Sequence, residues 1–179
     1  RYQQFRAVHK TIERLKDGKT PKEKSGVIWH TQGSGKSLTM VFLTIKMRRD
    51  PELRDYKLVF LTDRTQLDSQ LTSTFSKAQG ETVHHADSVK SLKELLSSDA
   101  SDIITAMVQK FQESADENEF PVLNDSSKII VLADEAHRTQ YGFKGVIDQK
   151  TGQMKYGLAR ALRDGLPNAT FLAFTGTPI

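Results

Sequence analysis

The sequence predicts an α/β fold of three layers (αβα), in which helices cover both faces of one open, mostly parallel β-sheet. Short apolar stretches that suit strands alternate with longer stretches that suit helices, which is typical of parallel sheets. Residues 58–61 and 129–133 are continuous apolar runs, as expected of strands covered on both faces. A glycine-rich turn at 33–35 joins another apolar run, Val27-Ile28-Trp29, to a helix. The length fits one such domain, residues 1–179.

The predicted helices are recognised by apolar residues at helical spacing and by polar residues at their ends. They cover residues 5–15, 38–47, 67–75, 89–96 and 158–162. Asp17-Gly18 ends the first helix and Asp50-Pro51 ends the second. Asp63 and Asp87 are expected to cap the next two. The inner face of the first helix consists of Phe5, Val8, Ile12 and Leu15. The second helix has little polar surface, so we expect it to pack under the sheet.

The predicted strands are short apolar runs separated by polar connections. They cover residues 27–29, 58–61, 82–85, 103–107, 129–133 and 169–174. Residues 19–25 are polar and basic and predict a solvated connector. Residues 113–127 predict an exposed excursion, and the stretch from Tyr141 to Tyr156 predicts a loop or a hairpin.

A glycine-rich loop at residues 30–37 follows the first predicted strand and opens the second predicted helix, which is the arrangement that binds phosphate groups. Gly33 and Gly35 have no side chains that would keep the backbone N–H groups away from the β- and γ-phosphates. The general pattern of such loops begins with glycine, whereas this loop begins with His30. A glycine turn that carries a lysine by chance is therefore the alternative interpretation.

The loop ends in two side chains suited to a magnesium-bound triphosphate. Lys36 places a compact positive charge between the β- and γ-phosphates, and the Ser37 hydroxyl is the expected ligand of the bridging Mg²⁺. The helix that begins at Lys36 adds the positive end of its dipole. The remaining loop residues contribute backbone N–H groups to the phosphate cradle: Thr31, Gln32 and Ser34.

Two adjacent carboxylates follow the most apolar strand of the chain. Asp134 is expected to hold Mg²⁺ through its water shell, and Glu135 to orient and deprotonate the water that attacks the γ-phosphate. His137 is expected to bond across to the end of the last strand and to sense the nucleotide state. That strand end consists of Thr175, Gly176 and Thr177. We expect this acidic pair and the glycine-rich loop to meet across neighbouring strand ends. A carboxylate pair that caps a helix is the alternative.

The composition excludes some classes of protein. The chain has no cysteine, which excludes a disulfide framework and agrees with a reducing cytoplasm, the location we expect. No apolar run is long enough to span a bilayer and the first residues do not form a signal peptide, so no membrane partner is expected. The net charge of +4 permits a polyanionic partner without requiring one.

Four short motifs, in chain order, resemble motifs I, Ia, II and III of superfamily 2 helicases. They are Gly33-Ser34-Gly35-Lys36-Ser37, Thr62-Asp63-Arg64, Asp134-Glu135-Ala136-His137 and Thr175-Gly176-Thr177-Pro178. Longer phrases around them, at 28–37, 134–142 and 174–178, are most similar to the restriction subunit of type I restriction enzymes. In that family a histidine at the position of His30 is usual.

The resemblance implies a P-loop NTPase, the first RecA-like domain of a motor that uses ATP and Mg²⁺ to translocate double-stranded DNA before a separate nuclease domain cuts it. It also implies that Gln4, in a stretch like the upstream glutamine motif, reads adenine. Residues at positions where such motors grip the phosphate backbone are Thr62, Arg64, Gln109 and Lys110. For each of these, helix capping or simple surface charge is an equal alternative.

The resemblance further implies partners beyond DNA. A second RecA-like domain of the same native chain is expected to complete hydrolysis, and modification and specificity subunits to complete the enzyme. The fragment alone is therefore expected to bind Mg-ATP but to hydrolyse it poorly. The alternatives are another superfamily 2 motor, such as an RNA helicase or a remodeller, and a nucleotide-gated DNA-binding module.

Overall fold

The computed structural model describes residues 2–31, 33–62, 69, 73, 83–107, 121–134, 146–147, 154–155 and 158–176. Its helices are α1 (Tyr2–Asp17), α2 (Pro21–Lys24), α3 (Lys36–Arg49), α4 (Val89–Ser97) and α5 (Leu158–Gly165). Its strands are β1 (Gly26–Trp29), β2 (Lys57–Thr62), β3 (Val83–Ala86), β4 (Ile103–Met107), β5 (Ile129–Ala133), β6 (Val146–Ile147), β7 (Met154–Lys155) and β8 (Thr170–Thr175). Among the described residues, no helix combines the length and the apolar character needed to cross a bilayer.

Six of the described strands form one sheet in the order β1-β8-β5-β2-β4-β3, and every pair in it is parallel. This confirms the predicted α/β class. Strands β2 and β5 lie inside the sheet and are almost fully buried, because their continuous apolar runs are covered on both faces. The short strands β6 and β7 pair antiparallel, so the hairpin predicted within Tyr141 to Tyr156 is present there.

Helices cover both faces of the sheet. One face packs against α1 and α3 through a buried cluster that includes Leu15, Met40, Leu43, Phe60 and Phe174. The other face packs against α4 and α5 through a second cluster that includes Val59, Leu92, Leu96, Val131 and Leu162. The carboxyl ends of the parallel strands therefore form one common edge between these layers.

Lys57, the first residue of β2, holds the C-terminal end of α4 against the sheet. Its Nζ donates to the carbonyl oxygens of Leu95 and Ser98, each at 2.6 Å, and contacts the Ser98 hydroxyl at 2.9 Å. The residue is only 3% exposed. Burial lowers the pKa of Lys57, while the nearby carboxylates of Asp102 and Asp99 oppose that shift. The lysine thus satisfies carbonyl groups that helix ends leave unpaired.

The structure corrects four details of the predicted elements. Phe5 is 62% exposed, and the buried face of α1 instead includes Gln4. Residues 21–24 form the short helix α2, because the Thr20 side chain accepts from the Glu23 N–H at its start. Helix α4 is capped by Ser88 rather than by Asp87. Helix α3 is not fully covered, since two of its apolar residues are about half exposed: Leu38 and Phe42.

The order of strands corrects the expectation that the two halves of the site lie on neighbouring strands. Strand β8 is inserted between β1, which leads into the glycine-rich loop, and β5, which leads to Asp134. Because adjacent strands lie about 4.8 Å apart, the two strand ends are separated by about 10 Å. The helix predicted at 67–75 lies outside the described residues, apart from Ser69 and Ser73, and so does most of the excursion at 113–127.

Candidate nucleotide-binding site

The glycine-rich loop begins where β1 leaves the sheet. The His30 N–H donates to the Thr175 carbonyl oxygen at 3.0 Å and so extends the β1–β8 pairing by one residue. The Ser34 N–H then donates to the Thr31 carbonyl oxygen at 3.1 Å, which closes a tight turn. Gly33 and Gly35 have φ values of +77° and +91°, a region that other residues rarely adopt. The turn therefore depends on glycine at these two positions.

Helix α3 begins directly after the turn, with Gly35 as its N-cap. Its first residue, Lys36, is 7% exposed, so a positive charge is held at the positive end of a helix. An anion bound there would relieve this concentration of positive charge. Ser37 follows in the same turn and is half-buried. Thr39, whose N–H and hydroxyl both donate to the Gly35 carbonyl oxygen at 3.0 Å, fixes the start of the helix.

The Gln4 side chain reaches from α1 to the backbone of the loop. Its Nε2 donates to the Ser34 carbonyl oxygen at 3.2 Å and lies 3.5 Å from the Gly35 carbonyl oxygen. Gln4 is 7% exposed, and a Cβ at position 35 would collide with its amide nitrogen. The glycine at 35 is thus required by its backbone conformation, whereas the Gln4 amide lies at the end of a flexible side chain that can move.

His30 is a buried imidazole at the start of the loop. It is 7% exposed, and its Nε2 has no hydrogen-bond partner within the part of the chain that the structure describes. Burial, together with the charge of Lys36, lowers the pKa of His30. The ring is therefore neutral at physiological pH and adds no second positive charge beside Lys36.

Asp134 lies at the same edge of the sheet as the loop. It directly follows β5, is 3% exposed, and its N–H donates to the Leu61 carbonyl oxygen at 2.8 Å. A carboxylate buried beyond the end of a parallel strand is a hard oxygen donor of the type that Mg²⁺ binds. Its place in the sheet is fixed by β2 on one side and by β8 on the other.

The end of β8 lies between the loop and Asp134. Thr175 is fully buried, and its carbonyl oxygen accepts the hydrogen bond from His30. The next carbonyl oxygen, that of Gly176, accepts a hydrogen bond from the Trp29 indole Nε1 at 3.3 Å. Movement of the β8 end would therefore directly displace Trp29 and His30, the residues that lead into the loop. Trp29 was not among the predicted coupling residues, because the sequence does not show that β1 and β8 are neighbours.

A comparison with protein families identifies this arrangement. The family model described as SWI2/SNF2 ATPase matches residues 3–179. The chain belongs to the SWI2/SNF2 ATPase family. The match covers nearly the whole chain, including the glycine-rich loop, Asp134 and the end of β8.

Individual relatives of this SWI2/SNF2 ATPase domain are subunits of restriction enzymes. It is 40% identical over 184 residues to the Type I restriction enzyme HindI endonuclease subunit of Haemophilus influenzae, covering 99% of this chain and 17% of the relative. It is 42% identical over 183 residues to the putative type I restriction enzyme MjaIXP endonuclease subunit of Methanocaldococcus jannaschii, covering 99% and 16%. The chain thus spans about a sixth of the length of these relatives, and the predicted resemblance to type I restriction subunits is confirmed.

A solved structure supports the fold. A nuclease-deletion mutant of the Type ISP restriction-modification enzyme LlaGI, in complex with a DNA substrate mimic, matches 99% of this chain and 17% of its own. The TM-score is 0.53 and the sequence identity is 15%. At this identity the likeness concerns the fold alone, and it agrees with a RecA-like P-loop NTPase.

Several predicted site residues of this SWI2/SNF2 ATPase domain can be located in the structure. Those brought to one edge of the sheet are Gln4, Thr31, Gly33, Ser34, Gly35, Lys36, Ser37, Asp134, Thr175 and Gly176. Those outside the described residues are Gln32, Arg64, Gln109, Lys110, Glu135, His137 and Thr177. Thr62 is fully buried at the end of β2, so a contact between its side chain and DNA would require that strand end to open.

The residues present suit a magnesium-bound nucleotide. Left-handed glycines, a buried ammonium group at a helix N-terminus, a hydroxyl in the same turn and a buried carboxylate provide the groups that phosphates and Mg²⁺ need. Two buried polar atoms beside the loop, His30 Nε2 and Ser34 Oγ, have no hydrogen-bond partner among the described residues. Buried polar atoms are normally paired, so these two atoms are suited to meet a polar ligand.

Proposed function

We propose that this chain is the ATP-binding motor domain of the restriction subunit of a type I restriction-modification enzyme. In this proposal residues 1–179 form a single RecA-like domain that works with a second such domain of the same native chain. The observation that carries the proposal is the placement of buried Lys36 and buried Asp134 at the same edge of the sheet, on either side of β8. The high identity to endonuclease subunits over 99% of the chain supports it.

In the proposed mechanism, each loop residue has a task in binding ATP. Backbone N–H groups of the loop and the Lys36 ammonium bind the β- and γ-phosphates, and Gln4 reads the adenine. The hydroxyl of Ser37 and, through water, the carboxylate of Asp134 would hold Mg²⁺, which when bound neutralises charge on the phosphates. The hydrogen bond from the Gln4 amide to the Ser34 carbonyl oxygen supports a place for Gln4 at the nucleotide site, and adenine reading is a second task proposed for the same side chain.

Hydrolysis is assigned to the residues that follow Asp134. Glu135 orients the attacking water and takes its proton, and His137 bonds to the end of β8. Three residues at the end of β8 would couple hydrolysis at the γ-phosphate to the arrangement of the two RecA-like domains: Thr175, Gly176 and Thr177. The hydrogen bond that joins His30 to Thr175 supports this task, because it links the loop to β8 without an intermediate.

The proposed partner of the motor is double-stranded DNA, held by its phosphate groups. Arg64, Gln109 and Lys110 are the proposed contacts, with Thr62 only if the end of β2 opens. Such contacts ignore base sequence and weaken as salt rises. Modification and specificity subunits are the further proposed partners, of which the specificity subunit would supply sequence recognition. The enzyme would act in the cytoplasm.

The proposal is tested by ATP hydrolysis in the full-length subunit with and without double-stranded DNA. DNA should stimulate turnover in the wild type, and Glu135→Gln should abolish turnover while leaving ATP binding intact, since the base is lost and the phosphate contacts remain. Glu13→Gln, a change on the exposed surface of α1, is the matched control and should hydrolyse like the wild type. Turnover that DNA does not change, or a Glu135→Gln variant with full activity, would contradict the proposal.

A further inference from the structure

Four large apolar side chains lie exposed on α1 and α3, although both helices pack against the sheet. Tyr2 and Phe5 on α1 are 74% and 62% exposed, and Leu38 and Phe42 on α3 are about half exposed. The roles proposed above for ATP and DNA involve none of these four residues. A single exposed apolar residue is common, whereas a group of them on two adjacent helices is typical of a surface that contacts another protein segment.

Helices α1 and α3 run parallel, side by side. At their beginning, Gln4 Nε2 donates to the Ser34 carbonyl oxygen in the loop that opens α3. At their end, Lys16 Nζ contacts a carboxylate oxygen of Asp50, the C-cap of α3, at 3.2 Å. Two helices in parallel contact leave a groove between them on the side away from the sheet. We refer to it as the α1/α3 groove.

The exposed apolar side chains border the α1/α3 groove. Lys46 Nζ lies 2.9 Å from His9 Nε2, and the rings of His9 and Phe5 pack with their centroids 4.0 Å apart. Leu38, Phe42 and Lys46 follow one another at intervals of one turn, so they form one line along α3. Phe5 and Phe42 thus both lie one turn before the contact between His9 and Lys46 that joins the two helices.

The two helices carry positive charge and no negative charge around these apolar residues. Neither α3 nor residues 2–12 of α1 contain Asp or Glu. Arg6 is exposed directly after Phe5, and Arg49 is exposed two turns after Phe42 on the same side of α3. A partner that covers the apolar residues and also complements this charge must carry acidic residues along its borders.

We propose that the α1/α3 groove is the docking site of an amphipathic α-helix from the same native polypeptide, a segment outside residues 1–179. A helix that lies in such a groove contacts it with apolar residues at helical spacing. The docking helix would place this apolar stripe over Phe5, Leu38 and Phe42, and acidic residues beside Arg6 and Arg49. The relatives that align with the whole of this chain are about six times its length, so proteins of this kind contain ample further sequence.

Other occupants match the α1/α3 groove less well. A second copy of the chain would bring together two domains that each have a net charge of +4, and the basic border of one groove would face the basic border of the other. The phosphate backbone of DNA would complement the basic residues but would leave the apolar side chains without an apolar contact. A helix of the same polypeptide avoids the loss of translational freedom that association entails.

The proposal is tested first by hydroxyl-radical footprinting of the full-length subunit, which needs no substitution. Phe5 is the reporter, and its oxidation rate is compared with that in a free peptide of the same sequence. Without a docked helix, its 62% exposure would slow oxidation by less than about twofold, whereas docking should slow it by at least about tenfold. Phe5 that reacts at more than half the rate of the free peptide would overturn the proposal.

Substitutions at Phe42 test the chemistry of the docking helix with the same reporter. Phe42→Asp removes an apolar contact and adds repulsion from the acidic border, so it should shift the docking equilibrium by about thirtyfold or more and raise the oxidation of Phe5. Phe42→Lys removes the same contact but attracts that border, so it should release Phe5 less. Val122→Asp, at another exposed apolar residue, is the matched control and should change nothing. Equal effects of the Asp and Lys variants would overturn the acidic character of the helix.

The identity of the docked segment is tested by photo-crosslinking in the full-length subunit. A photoreactive phenylalanine derivative at position 42 should join to a peptide of the same polypeptide outside residues 1–179, with an apolar stripe at helical spacing between acidic residues. Mixing isotopically labelled and unlabelled subunits distinguishes this product from a crosslink between two copies. The matched control is position 122, since Val122 is 63% exposed and its neighbour Leu123 packs on the other face of the sheet. A crosslink between copies, a crosslink to DNA, or none beyond the control would each overturn the proposal.

Discussion

The Gln4 side chain is proposed to hold the glycine-rich loop in place and to read adenine, and the Gln4→Ala variant allows these two tasks to be measured separately. In the structure its amide donates to the Ser34 carbonyl oxygen at 3.2 Å and lies at the limit of hydrogen bonding, 3.5 Å, from that of Gly35. A hydrogen bond of this kind contributes about 1 kcal/mol, which corresponds to about a fivefold change in an equilibrium constant. Loss of this bond frees the loop, so nucleotide binding must then order it. This effect weakens the binding of ATP and the binding of GTP by the same factor.

The proposed reading of adenine adds a second effect that concerns ATP alone. If Gln4→Ala also removes a hydrogen bond to the base, the preference for ATP over GTP should fall by a further factor of about five. Dissociation constants for both nucleotides, measured by calorimetry, separate the two effects. Gln3→Ala, at the exposed neighbouring position, is the matched control and should change neither constant. An equal loss for ATP and GTP would refute adenine reading, and no loss for either nucleotide would refute both tasks.

Three further predictions concern charged and titratable groups. Lys36→Ala should weaken ATP binding by at least about a hundredfold, because two charge-assisted hydrogen bonds of about 1.5–3 kcal/mol each are lost. Lys46→Ala, at the other end of α3, should leave ATP binding unchanged, and calorimetry measures both dissociation constants. Lys57→Met should lower the free energy of unfolding by about 1–3 kcal/mol, since carbonyl groups at the end of α4 lose their hydrogen-bond donor. Urea denaturation measures this change, and an unchanged denaturation midpoint would contradict the prediction. The pKa of His30 is lowered in the folded chain, so below about pH 6.5 the unfolded chain takes up a proton more readily than the folded chain. The free energy of unfolding should therefore fall from pH 7 to pH 5.5, and it should fall less in His30→Asn. Denaturation at the two pH values measures this, and an equal fall in the wild type and the variant would contradict it.

The parts of the fold that the sequence predicts well are those with local causes. Continuous apolar runs mark β2 and β5, because a strand covered on both faces has no polar side. The glycines at 33 and 35 mark the phosphate-binding loop in the sequence, and the structure adds that both have left-handed φ values, which glycine adopts readily. Residue spacing alone thus located the loop and the start of α3.

The parts that sequence reasoning missed depend on distant contacts. The insertion of β8 between β1 and β5 is decided by how crossover connections pack, and spacing along the chain does not record it. The exposure of Phe5 and the burial of Gln4 have the same kind of cause, because a polar residue on the inner face of α1 is stabilised by backbone of a loop thirty positions away. The short helix α2 had a local signal, Thr20-Pro21 followed by Glu23, which the basic character of the segment obscured.

The most direct test of the proposed site is a crystal structure of the full-length subunit with Mg²⁺ and a non-hydrolysable ATP analogue. We expect Lys36 Nζ to lie within about 2.7–3.2 Å of a β- or γ-phosphate oxygen. We also expect one Mg²⁺ that is bound by Ser37 Oγ and linked through water to Asp134. A nucleotide bound away from the loop, or a metal bound at the loop without any link to Asp134, would contradict the proposed site.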